Sequence, residues 1–266
     1  AAASAAENWI KQDTSVDFSA VSDTDLKGGS TFAVGGATWN YRGIGTQPAS
    51  FEVSSGKLVF TAAGGLGSTG GISGSSKNTG LVYATISDLC GGSYTRGKTE
   101  VAIVCHMTQT APDTRTNSGP LFGVFAESAI SQTGWRCKFL LNFISSSTST
   151  RRLFVRRLLD TTSGVSYTDP GATRQLSHMM LIRGGEINFF YMATYDANKG
   201  PDNGGWVAID NQFSIDTTTV GATSVHDIDG GSIIGFGGWQ PRTSDSGTPN
   251  PATFEFYNID VYTRGL

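Results

Sequence analysis

Two stretches of the chain copy phosphate-binding signatures letter for letter. Gly92-Ser93-Tyr94-Thr95-Arg96-Gly97-Lys98-Thr99 fits the nucleotide-binding P-loop pattern, whose chemistry depends on a helix starting at the Lys-Thr step and aiming its N–H groups at phosphates. The residues that follow, Glu100-Val101-Ala102-Ile103-Val104-Cys105, are a β-branched run that predicts a strand, so the helix is missing. Gly65-Leu66-Gly67-Ser68-Thr69-Gly70 fits the dinucleotide fingerprint and follows the strand-like Leu58-Val59-Phe60. Gly71-Ile72-Ser73-Gly74-Ser75-Ser76 stands where its helix should be. Both segments are therefore read as glycine-rich loops.

Other reactive side chains are scattered. His106, His178 and His226 show no ligand spacing, and a lone His in a strand is usually structural. No Gly-x-Ser-x-Gly nucleophile elbow occurs. The six Glu (Glu7, Glu52, Glu100, Glu127, Glu186 and Glu255) do not place two carboxyls close together on one strand face, although glycoside hydrolysis needs such a pair across one cleft. A pair meeting across strands stays open. No residue is assigned a catalytic role. Asp227 and Asp229, in His226-Asp227-Ile228-Asp229-Gly230-Gly231, offer oxygen ligands to calcium, the only cofactor the sequence points to. Asp/Gly turn chemistry explains the same residues more simply, as it does Asp196–Asp202.

Two residue sets suit binding. Arg151, Arg152, Arg156 and Arg157 form the dense basic cluster of the chain, able to grip an acidic glycan or a neighbouring subunit's carboxylates unless they are solvated strand ends paired locally. Of the five tryptophans, Trp39 sits in a strand pattern as core. Trp206 and Trp239 lie beside glycines at loop–strand junctions, where an indole can stack on a sugar ring, fill an interface, or simply pack inward.

The elements that must position these residues are strands. Period-two alternation runs through Ser50–Phe60, Lys98–Met107, Lys138–Ile144, Met179–Tyr191 and Thr253–Thr263. In the last, Phe254, Phe256, Asn258 and Asp260 are expected on one face and Glu255, Tyr257, Ile259 and Val261 on the other. Phe32–Tyr41, Gly80–Ile86, Pro120–Phe125, Trp206–Ile209 and Ser232–Trp239 add further strands, and so does Arg152–Leu159 after the Ser/Thr-rich turn at Ser145–Thr150. Thirty-five glycines and a charged fraction of 15% suit short strands joined by many turns and disfavour helix. The expected architecture is all-β, a two-sheet antiparallel jelly-roll β-sandwich. Residues 1–12 read as a flexible N-terminal tail and 13–266 as a single β-sandwich domain.

The bulk numbers also exclude. A formal net charge of −3 argues against nucleic acid as a partner. No apolar run reaches the 18 or so residues of a membrane-spanning helix, so no membrane partner is expected. Cys90, Cys105 and Cys137 form no metal spacing and leave at least one thiol unpaired, and no Asn-x-Ser/Thr sequon is present.

Two stretches resemble the concanavalin A-like lectin/glucanase superfamily. Met179-Met180-Leu181-Ile182-Arg183-Gly184-Gly185-Glu186-Ile187-Asn188-Phe189-Phe190-Tyr191, with the loop leading to Trp206, is similar to its paired strands around an apolar-Arg-x-Gly turn. Ile233-Ile234-Gly235-Phe236 with Phe254–Tyr262 is similar to its closing strands. The Glu-x-Asp-x-Glu motif of the hydrolase branches is absent, as are the arginine and Gln-x-His motifs of the alginate-lyase relatives, which leaves the binding and structural branches. The segment Asp13–Ala20 leading to Thr38-Trp39 resembles tailed-phage virion proteins that carry such sandwiches. The resemblance implies a non-enzymatic virion structural protein, a capsid decoration or tail-associated piece at the virion surface. Its partners would be other virion proteins, its own copies in a homo-oligomer, and host-surface glycans. A free carbohydrate-binding module or lectin is the alternative, and a glycan-degrading enzyme with a non-standard carboxylate pair the third reading.

Overall fold

Period-two alternation with glycine at the turns gives strands that pair almost entirely with antiparallel neighbours. The computed structural model describes residues 8–44, 50–61, 79–110, 119–125, 135–143, 151–157, 167–168, 175–183, 186–192, 198–208, 228–239 and 253–266. In chain order the strands are β1 (Ile10–Lys11), β2 (Val16–Asp17), β3 (Thr24–Asp25), β4 (Phe32–Val34), β5 (Ala37–Ile44), β6 (Ser50–Ser54), β7 (Lys57–Thr61), β8 (Thr79–Thr85) and β9 (Thr99–Thr110). They continue as β10 (Gly119–Phe125), β11 (Trp135–Phe143), β12 (Arg151–Arg157), β13 (Tyr167–Thr168), β14 (Gln175–Arg183), β15 (Glu186–Met192), β16 (Val207–Ala208), β17 (Ile233–Trp239) and β18 (Thr253–Gly265).

One sheet has ten strands in the order β16-β15-β14-β9-β18-β7-β6-β3, with β1 and β2 also paired to β18. The other has eight, ordered β13-β12-β11-β10-β17-β8-β5-β4. Helix is confined, among the described residues, to a 3-10 turn at Phe18–Ala20 and the four-residue α1 (Ile86–Leu89), whose first turn is capped by Thr85 accepting from the Asp88 N–H at 3.0 Å. The jelly-roll class expected from the alternation is what the chain adopts.

Alternation also fixes the core. Val101, Ile103 and Cys105 of β9, Met180 and Ile182 of β14, and Phe254 and Phe256 of β18 meet Trp39, Val82, Ala84, Ile234 and Phe236 from the opposite sheet in one buried cluster. Trp39 lies within ring contact of Phe32 (6.1 Å) and Phe236 (5.7 Å), so it is core as expected.

Four expectations change in detail. Phe32–Tyr41 divides into the hairpin of β4 and β5, which turns at Gly35 and Gly36. Ser50–Phe60 is a hairpin rather than one strand: β6 and β7 join through Ser55 (φ 51°) and Gly56 (φ 75°), the two left-handed residues a tight hairpin turn requires. Met179–Tyr191 likewise divides into β14 and β15. In β18 the expected faces hold only as far as Phe256. The register against β9 steps there from Phe256↔Met107 to Asn258↔His106, so Tyr257 is an extra residue and every later side chain changes face. Ile259 and Val261 therefore join Phe254 and Phe256 in the core, while Asn258, Asp260, Tyr262 and Arg264 take the outer face.

At the N-terminus, Ile10–Lys11 fall within the expected tail yet pair as β1 with Thr263 and Tyr262 of β18. Gln12 donates its backbone N–H to the Val261 carbonyl at 2.8 Å. That short strap brings Trp9 to the outer face of the ten-stranded sheet.

Candidate functional site

The outer face of a sandwich sheet is normally polar, and here it carries a second apolar cluster. Ala102 and Val104 of β9 and Met179 of β14 are buried there, with Leu181, Phe190, Tyr262, Trp9 and Trp206 packed against them. The register explains the grouping: Tyr262, Ala102 and Leu181 form one transverse row, and Asp260, Val104, Met179 and Phe190 the next. Aromatic side chains from two loops, Trp9 and Trp206, stand over these rows.

A hollow of about 330 Å³ results, with Met179, Leu181 and Phe190 as floor, Trp9 and Arg264 on one side, and the Pro201–Trp206 loop on the other. This is at the small end of the range of ligand sites, about 300–1,000 Å³. The loop is fixed by its own bonds. The Gly200 carbonyl accepts from the Asn203 N–H at 3.2 Å and from Trp206 Nε1 at 3.1 Å, while Asn203 Oδ1 accepts from the Gly200 N–H at 2.6 Å. Gly200 lies on the Tyr262 ring, where an added Cβ would stand 3.2 Å from the phenol. Gly205 sits at φ +98°, a conformation side-chain-bearing residues rarely take. Trp206 thus spends its N–H inside the loop and keeps its ring faces for packing and for the hollow.

The opposite wall is electrostatic. Glu100 is wholly buried on the outer face and bridges the Nε atoms of Arg183 and Arg264. Arg264, so held, lies over Trp9 with its guanidinium carbon 4.4 Å from the ring centroid. Lys11 pairs with Asp260 at 2.8 Å and anchors the strap that carries Trp9. Burial raises the Asp260 carboxyl against the lowering effect of Lys11. Burial, helped by Asp260, pushes the Tyr262 phenol up to about 12.

Beside Asp260, in the next row of the same face, lies a constellation with the composition of a hydrolase triad. Ser177 Oγ is 2.7 Å from His106 Nδ1, and Asp260 Oδ2 is 4.0 Å from His106 Nε2. Nucleophile attack needs an exposed Ser Oγ served by the imidazole nitrogen opposite the one the carboxylate holds. Here Ser177 and His106 are closed to solvent and the carboxylate is beyond hydrogen-bond reach, so the group is a packed polar network.

Of the residues singled out in the sequence, Trp206 lies in the hollow. Trp239 ends β17 opposite Thr79 and Gly119, and its side chain lies outside the described part. The four arginines all fall in β12, where alternate positions belong to opposite faces. Arg152 and Arg156 are in register with Asn142 and Lys138, Arg151 and Arg157 with Phe143 and Cys137. Their side chains lie outside the described part. Asp227 lies outside the described residues. Asp229 Oδ1 accepts from the N–H groups of Gly231 (2.9 Å) and Ser232 (3.1 Å), an Asp/Gly turn. No group of three His, Cys, Asp or Glu able to hold a metal occurs among the described residues, and none of their helices is long and apolar enough to cross a membrane.

The P-loop-like Gly92–Thr99 segment is a loop running into β9, with Gly97 at φ +72° and no helix behind it. The segment Gly65–Gly70 lies outside the described residues. Two glutamates share one transverse row: Glu52 and Glu255 both register with Val59, from either side of β7, about 9–10 Å apart at the backbone from the strand spacing. Glu255 is bound to Lys57 at 3.1 Å, and the hollow does not include either. Trp9, Arg264 and Glu100 were not singled out by the sequence. The signal for Trp9 was its place in Trp9-Ile10-Lys11, an alternating tripeptide hidden behind the alanine-rich start.

The two-sheet antiparallel jelly-roll is a fold shared with several solved structures. A glycoside hydrolase family protein from Mycobacterium thermorestibile superposes with a TM-score of 0.51 at 11% identity, over 93% of this chain and 98% of that one. A LamA variant from Z. galactanivorans, in complex with laminaritriose and laminaritetraose, gives 0.51 at 10% identity over 97% and 100%. A functionally unknown protein from Saccharomyces cerevisiae gives 0.50 at 10% identity over 90% and 97%. Identities this low speak to the fold. No family model matches the chain, and no curated protein matches it in sequence.

Proposed function

We propose that this protein is a carbohydrate-binding β-sandwich that holds a sugar residue in the hollow between Trp9 and Trp206. The observation that carries the reading is the pairing of aromatic faces with a polar rim: two indoles and Phe190 around an open space, and Asp202 and Asn203 at its lip. A sugar ring has an apolar C–H face and a hydroxyl edge, and this surface is matched to both. The saccharide complex of one structurally similar protein and the hydrolase family of another support the same substrate class.

Binding without catalysis is part of the proposal. The test is a glycan array followed by calorimetry on whichever saccharide is retained. Trp206→Ala is expected to weaken binding about tenfold or more, the loss of roughly 1.4 kcal/mol. Array-wide silence, or undiminished affinity in the variant, would overturn it.

The self-association part of a second reading, a virion structural protein, is favoured by one observation. Ile10, Val207 and Leu266 are large apolar side chains exposed at 60%, 40% and 54%, and Val207 lies in β16, the end strand of its sheet among the described residues. Near-stoichiometric retention on purified particles after a high-salt wash would support it, and loss from them would remove it. The enzyme alternative rests on Glu52 and Glu255 and predicts release of reducing sugar that Glu255→Gln abolishes.

A further inference from the structure

We propose that Asn203-Gly204, in the loop beside the hollow, is a self-modification site: the Gly204 nitrogen attacks the Asn203 side-chain carbonyl and turns the asparagine into aspartate or isoaspartate. The chemistry is independent of the sugar reading and holds whether or not a saccharide binds.

The step balances with water as the sole co-reactant. The Gly204 nitrogen bonds to Asn203 Cγ, and its proton passes through solvent to Nδ2. The Cγ–Nδ2 bond breaks, ammonia leaves, and a succinimide ring closes. Water then adds to one of the two ring carbonyls. Opening on one side gives aspartate, and opening on the other gives isoaspartate, in which the main chain runs through Cβ and Cγ. Nothing is oxidised or reduced.

The attacking nitrogen is unusually free. Asn203 is the only asparagine followed by glycine in the 266 residues. Asn40, Asn188 and Asn258 lie instead in β5, β15 and β18, ahead of Tyr41, Phe189 and Ile259, whose side chains crowd the approach. Gly204 is exposed, and an added Cβ there would meet nothing within 4 Å. Its N–H makes no hydrogen bond among the described residues.

The carbonyl under attack is polarised. Asn203 Oδ1 accepts from the Gly200 N–H at 2.6 Å, which places a backbone donor where negative charge gathers as the ring closes. The same bond identifies Oδ1 and leaves Nδ2 as the departing group. Asp229-Gly230 has the same backbone opportunity without these features. Asp229 Oδ1 is held by the Gly231 and Ser232 N–H groups, and a Cβ on Gly230 would stand 3.2 Å from Ser87.

The product changes the loop. It adds a carboxylate next to Asp202. Isoaspartate also lengthens the chain between Gly200 and Trp206, across which Trp206 Nε1 now donates to the Gly200 carbonyl at 3.1 Å.

The test is peptide mapping by mass spectrometry on the whole chain, incubated in mildly alkaline buffer, with isoaspartate detected by enzymatic methylation. Asn203 is expected to convert at least about tenfold faster than any other asparagine. Gly204→Ala fills open space at a position without left-handed backbone, so it should slow conversion about tenfold or more with thermal unfolding unchanged. The native rate should be no lower than the rate of the same chain in urea, because the Gly200 bond exists only in the fold. Absence of conversion at Asn203, or equal rates in Gly204→Ala and wild type, would overturn the proposal. A native rate about tenfold below that in urea would show that the fold protects the amide and would overturn the activation by Gly200.

Discussion

Replacing Glu100 by Gln keeps the shape of the side chain and removes the charge that two arginines share. Deleting one partner of a buried ion pair costs about 3–5 kcal/mol, because the remaining charge is stranded. Arg183 is 54% exposed and rehydrates easily, so its arm is worth no more than about 1 kcal/mol. Arg264 is only 18% exposed and stays pinned over Trp9, so the main loss falls there. The combined expectation is a loss of about 2–3 kcal/mol for Glu100→Gln, below the full buried-pair figure because one arm can hydrate. With a urea m-value of about 3 kcal/mol/M, the midpoint should drop by about 0.7–1 M. Urea unfolding followed by tryptophan fluorescence measures it. Arg264→Met should cost clearly more than Arg183→Met, and Glu100→Gln combined with Arg264→Met should recover part of the sum. A Glu100→Gln midpoint within about 0.2 M of wild type, or equal costs for the two arginines, would refute the reasoning.

Three further outcomes follow from buried groups and tight turns. Burial, with a smaller contribution from His106, holds the His178 imidazole down to about 3 from its ordinary 6.5. The folded state thus refuses a proton that the unfolded chain takes up below about pH 6.5, and stability should fall by up to about 1.4 kcal/mol per pH unit between there and about pH 3. Asp260, raised by burial, acts oppositely: its contribution is complete below the ordinary carboxylate value of 3.8 and is lost as pH rises through its folded value. The stability difference between wild type and His178→Gln, measured by urea unfolding from pH 7 to 5, should shift steadily against the wild type as pH falls, and a flat difference would count against it. Cys90, pushed up to about 12 by burial, and Cys105, raised by burial and then by Asp260, should resist maleimide in a native Cys137→Ser background and label only in denaturant. Gly35 (φ +56°) would set a Cβ onto the Asp13 carbonyl, whereas Gly36 (φ +88°) faces open space. Gly36→Ala should cost only the backbone term, about 1–2 kcal/mol, and Gly35→Ala clearly more by thermal unfolding.

Much of the sandwich could be read from alternation alone, because burying one face of a strand writes itself into every second residue. The two halves of Ser50–Phe60 are such runs, while Lys98–Met107 and Ser232–Trp239 became strands of nearly those limits with both faces buried. What alternation cannot carry is an added residue. The phase of β18 after Tyr257 depends on a bulge against β9, and no local feature of Phe256-Tyr257-Asn258 announces it. Hairpins blur for a related reason: a two-residue turn preserves the period, so Ser50–Phe60 reads as one strand until Ser55-Gly56 is taken as the turn. Within the hollow, Trp206 was legible as an indole beside glycines at a loop–strand junction. Trp9 was not, since two residues of β1 carry too little pattern to stand out from an alanine-rich start. The Glu100 bridge was equally hidden, because residues 100, 183 and 264 meet only through strand register.

The claim at the centre of the account is that Trp9 and Trp206 face one sugar-binding hollow. The most direct measurement is a titration of the indole N–H cross-peaks in a two-dimensional ¹⁵N–¹H spectrum, with methyl glycosides of glucose, galactose and mannose as added ligands. The account predicts saturable shifts of the Trp9 and Trp206 signals, assigned by single Trp→Phe variants, while the wholly buried Trp39 stays still. Shifts confined to other indoles, or none across the whole panel, would contradict it.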